Sequence, residues 1–336
     1  MKLSRLTLQD FRGFGAAEFD FMDPESGKPL DVVLLVGDNG SGKTSVLHAI
    51  AGVMGEVVGV DSGYEHIGRK DVRDGCEETT VSLWMKSAER NAATKFAYSF
   101  PIGMLQNGPF LESADSLRRL QKDYENGLEL IALFDVYRLL QNISIEGPTR
   151  FSVLRHPCQK SLAPTLGRAG GIQARFGQLK QWIVNLDFLR TKAKLDRGED
   201  LPTWGLLIDA LDQLLAPNRF IGVDDEFEIY FQTPHGRVPI QALSDGFRSI
   251  FVIVVDLLLR MSLMTPRRED ALLQEAVCLI DEIDAHLHPR LQSRVIPALR
   301  TLFPNVQFIA TTHSPFIVES VEAKNIFQLS AEEPAL

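Results

Sequence analysis

The chain has 336 residues, 35 Lys plus Arg against 44 Asp plus Glu, and a formal net charge of −9. Hydrophobic residues make up 45% and charged residues 24%, enough for a large buried core, which excludes an intrinsically disordered, collagen-like or mucin-like chain. The acidic average argues against a protein that coats nucleic acid through bulk charge.

In chain order, residues 2–9 and 16–21 alternate polar with apolar, the period of half-buried strands. Residues 32–36 (VVLLV) are apolar without a break, as in a strand of an α/β sheet covered on both faces. A glycine-rich turn follows, and residues 45–54 have helical spacing. Residues 79–85 and 95–100 read as paired strands, 111–125 as an amphipathic helix and 128–134 as a further strand. From about 145 to 220 the pattern is helical, broken at Gly167 to Gly171. Glu226 to Gln232 and Arg237 to Ile240 flank Pro234-His235-Gly236, a hairpin signal. A long helix is expected from near Ser244, and two more buried strands at 276–280 and 306–311. There is no internal repeat and no sustained heptad. Cys76, Cys158 and Cys278 show no zinc or disulfide spacing and fit a reducing compartment. The opening residues lack an apolar leader, and the most apolar run, 249–264, is interrupted by Asp256 and Arg260. A cytoplasmic protein without a membrane partner is expected.

Gly37-Asp38-Asn39-Gly40-Ser41-Gly42-Lys43-Thr44 has the spacing G-x-x-x-x-G-K-[ST] between a strand and a helix. Glycines let the backbone curl around a phosphate with its N–H groups pointing inward, and the helix adds its positive end. Lys43 supplies a charge and Thr44 a hydroxyl ligand for Mg²⁺. Asn39, Gly40, Ser41, Gly42, Lys43, Thr44 and Ser45 are the candidate phosphate-binding residues. The strand Val277 to Ile280 ends in Asp281 and Glu282, two carboxylates that are costly there unless used. Asp281 suits Mg²⁺ and Glu282 the activation of a water. His313 follows a third apolar strand and is placed to meet a terminal phosphate or the attacking water. Ser244 suits a helix N-cap, and Gly246 would let a phosphate approach the backbone; an ordinary capped helix reads the same in isolation.

Together these segments resemble the ABC-type ATPase superfamily. GDNGSGKT matches Walker A, LIDE matches Walker B, Ser244 to Phe247 match the signature loop, and His313 matches the switch histidine. FRGF, LIDEIDAHLHP and TTHSP resemble the SMC/RecF/OLD-like branch, and LSDGFRS departs from LSGGQ as in stand-alone ATPase subunits of prokaryotic anti-phage defence systems. The resemblance implies ATP and Mg²⁺ as cofactors, Lys43, Glu282 and His313 as catalytic residues, and Thr44 and Asp281 as metal ligands. It implies that Arg12 contacts nucleotide phosphate. Gln141 is the candidate Q-loop metal ligand. His288 stands where many relatives carry the D-loop aspartate, so that role is not carried over.

The fold implied is an α/β ABC-type P-loop head: a mixed-sheet nucleotide-binding lobe at 1–139 and 266–336, with a helical and signature lobe inserted at 140–265. Lys43 and Asp281 are 238 residues apart, too far for a minimal core, and without heptads no long coiled coil fills the gap. The expected engine is a homodimer sandwiching ATP, or a higher oligomer, that hydrolyses ATP and drives or regulates a separate effector, a nuclease, in anti-phage defence. Only 23 residues follow His313, too few for the Toprim domain of OLD nucleases. A RecF-like DNA-repair ATPase is the alternative. Residues 150–197 hold ten Lys/Arg and two acids, a segment of +8 able to meet nucleic acid, or to be a solvated helix face.

Overall fold

The computed structural model describes residues 2–58, 67–86, 93–101, 130–135, 147–148, 171–264 and 268–330. The alternating N-terminal segments form β1 (Lys2–Phe11) and β2 (Phe14–Asp20), and the apolar run forms β3 (Val32–Gly37), leading into α1 (Lys43–Val58). Then come β4 (Glu78–Lys86), β5 (Thr94–Pro101), β6 (Leu130–Phe134), α2 (Gly171–Arg197), α3 (Pro202–Leu215), β7 (Arg219–Val223), β8 (Ile229–Thr233) and β9 (Gly236–Pro239). The chain continues through α4 (Asp245–Met264), β10 (Ala276–Ile280), α5 (Pro289–Leu302), β11 (Val306–Thr312), the short α6 (Pro315–Val318) and β12 (Ile326–Leu329).

Three sheets result among the described residues. One is antiparallel with order β2-β1-β4-β5, one is parallel with order β12-β3-β11-β10-β6, and one is the antiparallel β7-β8-β9. The parallel sheet is the middle layer, and strand alternation puts successive side chains into different cores. Val32 and Leu34 join α2, α3, α4 and the β7-β8-β9 sheet, whereas Val33 and Leu35 join α1 and the antiparallel sheet. Cys278 and Leu279 divide in the same way. This explains why β3 and β10 read as unbroken apolar runs. Gln307, fully buried in β11, ties the layers together: its Oε1 accepts from Leu3 N at 2.7 Å, and its Nε2 donates to Leu3 O at 2.8 Å and Leu30 O at 2.9 Å.

Three expectations need adjusting. The helical stretch ends earlier than 220, because Arg219 and Phe220 already pair with Gln232 and Phe231 as the start of β7. Within 140–265 the expected hairpin is present as β8 and β9, and β7 extends it to a three-stranded sheet. Neither α5 nor β12 was anticipated. The helix expected at 111–125, the glycines 167–170 and Gln141 lie outside the described residues. No described helix is long and apolar enough to cross a membrane.

Candidate functional site

The C-terminal edge of the parallel sheet gathers the site, the usual ligand position in an open α/β sheet. β3 delivers the glycine loop, whose Gly40 and Gly42 have φ of +84° and +93°. A Cβ on Gly42 would lie 2.5 Å from the Phe14 ring, so this glycine is demanded by both conformation and space. Asn39 and Gly40 are exposed at the loop tip. Ser41 Oγ is buried and finds no hydrogen-bond partner among the described residues. Lys43 Nζ folds back to donate to Gly37 O at 2.8 Å and Asp38 O at 2.7 Å. Burial pushes the Lys43 ammonium below its ordinary pKa, while the carboxylates of Asp281, Glu282, Asp38 and Asp284 pull it back. An orphan hydroxyl and a buried ammonium bonded only to carbonyls fit a loop made for an anion.

β10 ends at the acid pair. Thr44 Oγ1 lies 3.1 Å from both Asp281 oxygens, so a hydroxyl and a carboxylate 237 residues apart converge as hard oxygen donors suited to Mg²⁺. Glu282 has φ of +46°, unusual for a residue with a side chain. The turn is held from β11: Thr311 Oγ1 donates to Asp281 Oδ1 at 2.7 Å and accepts from Glu282 N at 2.7 Å, while Ile283 N donates to Thr311 O at 3.0 Å. Asp284 then accepts from Thr312 Oγ1 at 2.6 Å and from His313 N at 3.4 Å, fixing the backbone that presents the exposed His313. Sequence reasoning missed Thr311 and Asp284. The available signals were polar residues at the tip of an apolar strand and a third carboxylate after the acid pair.

Two further segments border this edge. Arg12 occupies the β1–β2 turn with φ of +51°. Its Nε donates to Asp71 Oδ1 at 2.7 Å, and its Nη1 donates to Ser45 Oγ at 3.5 Å in the first turn of α1. Ser244 is exposed just before α4, its carbonyl accepting from Arg248 N at 3.1 Å. Gly246 is buried, and a Cβ there would lie 2.5 Å from His286 O and 3.0 Å from Leu287 Cδ2. That packing requires glycine without any phosphate. It also sets the expected signature loop against His286 and Leu287, in the loop that follows Glu282.

The comparisons bear on this geometry. A family model described as "AAA domain, putative AbiEii toxin, Type IV TA system" matches residues 172–319, and one described as "AAA domain" matches residues 5–131. The SMC head domain from Thermotoga maritima has a TM-score of 0.54 at 17% identity, covering 98% of this chain and 94% of that one. A second SMC head, solved bound to the C-winged helix domain of ScpA, has a TM-score of 0.57 at 15% identity over 98% of this chain and 94% of that one. The chain has the fold of an SMC head and carries two stretches that match AAA-domain models. The chain is 41% identical over 87 residues to a Retron Ec83 probable ATPase of Escherichia coli, covering 26% of this chain and 16% of that protein. It is 24% identical over 318 residues to the Septu protein PtuA of Bacillus mycoides (strain KBAB4), covering 93% of this chain and 38% of that protein. The chain therefore spans less than two fifths of the length of these relatives.

Within the described part of the basic segment, one charge is removed from the surface and others are paired. Lys180 is 1% exposed, and its Nζ donates at 2.5 Å to Glu228, which also accepts from Gln241 Nε2 at 3.0 Å. Arg190 pairs with Asp187 and Asp200, and Lys194 with Asp200. Lys180 is thus a core residue and no part of a nucleic-acid face.

Proposed function

We propose that this head binds Mg²⁺–ATP at the β3–β10–β11 edge, hydrolyses it between two copies of the chain, and couples that cycle to a separate effector. The convergence of Lys43, Thr44, Asp281 and Glu282 on one sheet edge carries this reading. The glycine loop and α1 receive the phosphates, with Lys43 released from its carbonyls to meet them. Thr44 and Asp281 would hold Mg²⁺, which neutralises charge on the phosphate oxygens. Glu282 takes a proton from the attacking water, whose oxygen bonds the γ-phosphorus as its bond to the bridging oxygen breaks, leaving ADP and phosphate. His313 steadies the water or the γ-phosphate.

Ser244 is exposed and has no described hydrogen bond to its own glycine loop, which supports a role toward a partner's ATP. Glu282→Gln is expected to bind ATP with little turnover and to run as a dimer in size-exclusion chromatography only when ATP is present. A nucleotide-independent monomer would overturn the sandwich. The retron and Septu names of the curated relatives support an effector in anti-phage defence. Expressed with its neighbouring genes, the wild-type head should lower phage plating and Lys43→Ala should not. Equal protection by both would refute an ATP-driven role.

A further inference from the structure

We propose that Asp71 is a positioning residue for nucleotide binding: it fixes the Arg12 guanidinium so that its free edge faces the phosphates at the start of α1. This deepens the ATP-site reading above and rests on it. Asp71 is 3% exposed, yet both carboxylate oxygens are used, Oδ1 by Arg12 Nε at 2.7 Å and Oδ2 by Gly68 N at 2.9 Å. Its carbonyl also accepts from Arg12 N at 2.7 Å, so one residue holds both the left-handed backbone and the side chain of Arg12. The segment carrying Asp71 is itself tied to β1, with Arg73 N donating to Asp10 O at 2.8 Å and Val72 bridging Phe11.

With Nε engaged, the terminal nitrogens remain for a phosphate, the geometry in which a guanidinium binds two oxygens at once. Nη1 already sits 3.5 Å from Ser45 Oγ, next to Thr44. An unrestrained arginine would lose rotamer freedom on meeting the ligand; here that ordering is completed in the folded protein. The sign of the effect separates positioning from charge. A carboxylate near a polyanion repels it, so charge alone predicts tighter nucleotide binding when Asp71 is removed. Positioning predicts weaker binding.

The test is equilibrium titration of the full chain with Mg²⁺ and β,γ-imido-ATP, with thermal melting of every variant. Arg12→Ala should weaken binding about tenfold, Asp71→Ala by a similar factor, and the double variant by no more than Arg12→Ala alone. Asp71→Asn, which keeps an acceptor for Arg12 Nε, should recover most of the loss. If Asp71→Ala does not fold, Asp71→Asn carries the test, with binding weaker than wild type and stronger than Arg12→Ala. Unchanged or tighter binding by the Asp71 variants beside a weakened Arg12→Ala would overturn the positioning role, as would an equal loss from Asp71→Ala with and without Arg12. Unchanged binding by Arg12→Ala would instead overturn the phosphate role of Arg12 itself.

Discussion

Thr311 shows how much of the site rests on one hydroxyl. It donates to Asp281 and accepts from Glu282 N, so it sets the proposed metal ligand and the proposed general base together. Thr311→Val keeps the shape and removes the hydroxyl that accepts from Glu282 N and donates to Asp281, a loss of about 1–3 kcal/mol. The expected result is a lower melting temperature and a larger fall in kcat than in ATP affinity, with Thr311→Ser restoring most of both. The carboxylates were legible in sequence because two charges after an apolar run are chemically conspicuous. Thr311 was not, because a threonine at a strand end is ordinary until register is known. The pairing of Ile280 with Ala310 makes residue 311 the neighbour of residue 281. Asp71 was hidden for the same reason, its partner lying 59 residues upstream.

Among the elements, α4 and α3 offer a controlled contrast. Both contain a glycine where helix propensity favours alanine by about 1 kcal/mol. Gly205 in α3 has nothing within 4 Å of its missing Cβ, whereas Gly246 in α4 has His286 O at 2.5 Å. Gly205→Ala should therefore raise stability by about 0.5–1 kcal/mol. Gly246→Ala should lower it by about 1–3 kcal/mol and disturb the signature loop, measured by denaturant unfolding and ATP turnover. Charge counting along α2 failed where it met burial. Lys180→Glu would place two carboxylates together in the core and is expected to lose about 3 kcal/mol or more. The exposed Lys192→Glu should stay within about 0.5 kcal/mol of wild type, both read from urea unfolding. The α5 helix was readable in part: His288 caps it through Nδ1, Pro289 opens it, and Val295, Ile296, Leu299 and Leu302 form its buried stripe. Pro297 inside the helix masked that pattern.

For the whole molecule, layer order matters more than any single element. Buried runs identified β3, β10 and β11 from sequence, yet nothing local says that β3 lies between β11 and β12. Nor does anything local reveal that Gln307 joins the two large sheets. Gln307→Leu keeps the size but strands the backbone groups of Leu3 and Leu30. A loss of about 3 kcal/mol is expected, visible as a lower urea midpoint. The position of β3 also constrains how the protein is made. Its two sheet neighbours are Val306–Thr312 and Ile326–Leu329, which the ribosome delivers long after β3. Until they emerge, the Walker A strand has no partner on either edge, and closing loops of this length slows folding. A nascent chain stalled before residue 306 would hold every residue of the glycine loop and still have no sheet to support it, so nucleotide binding arises only after β11 and β12 have emerged.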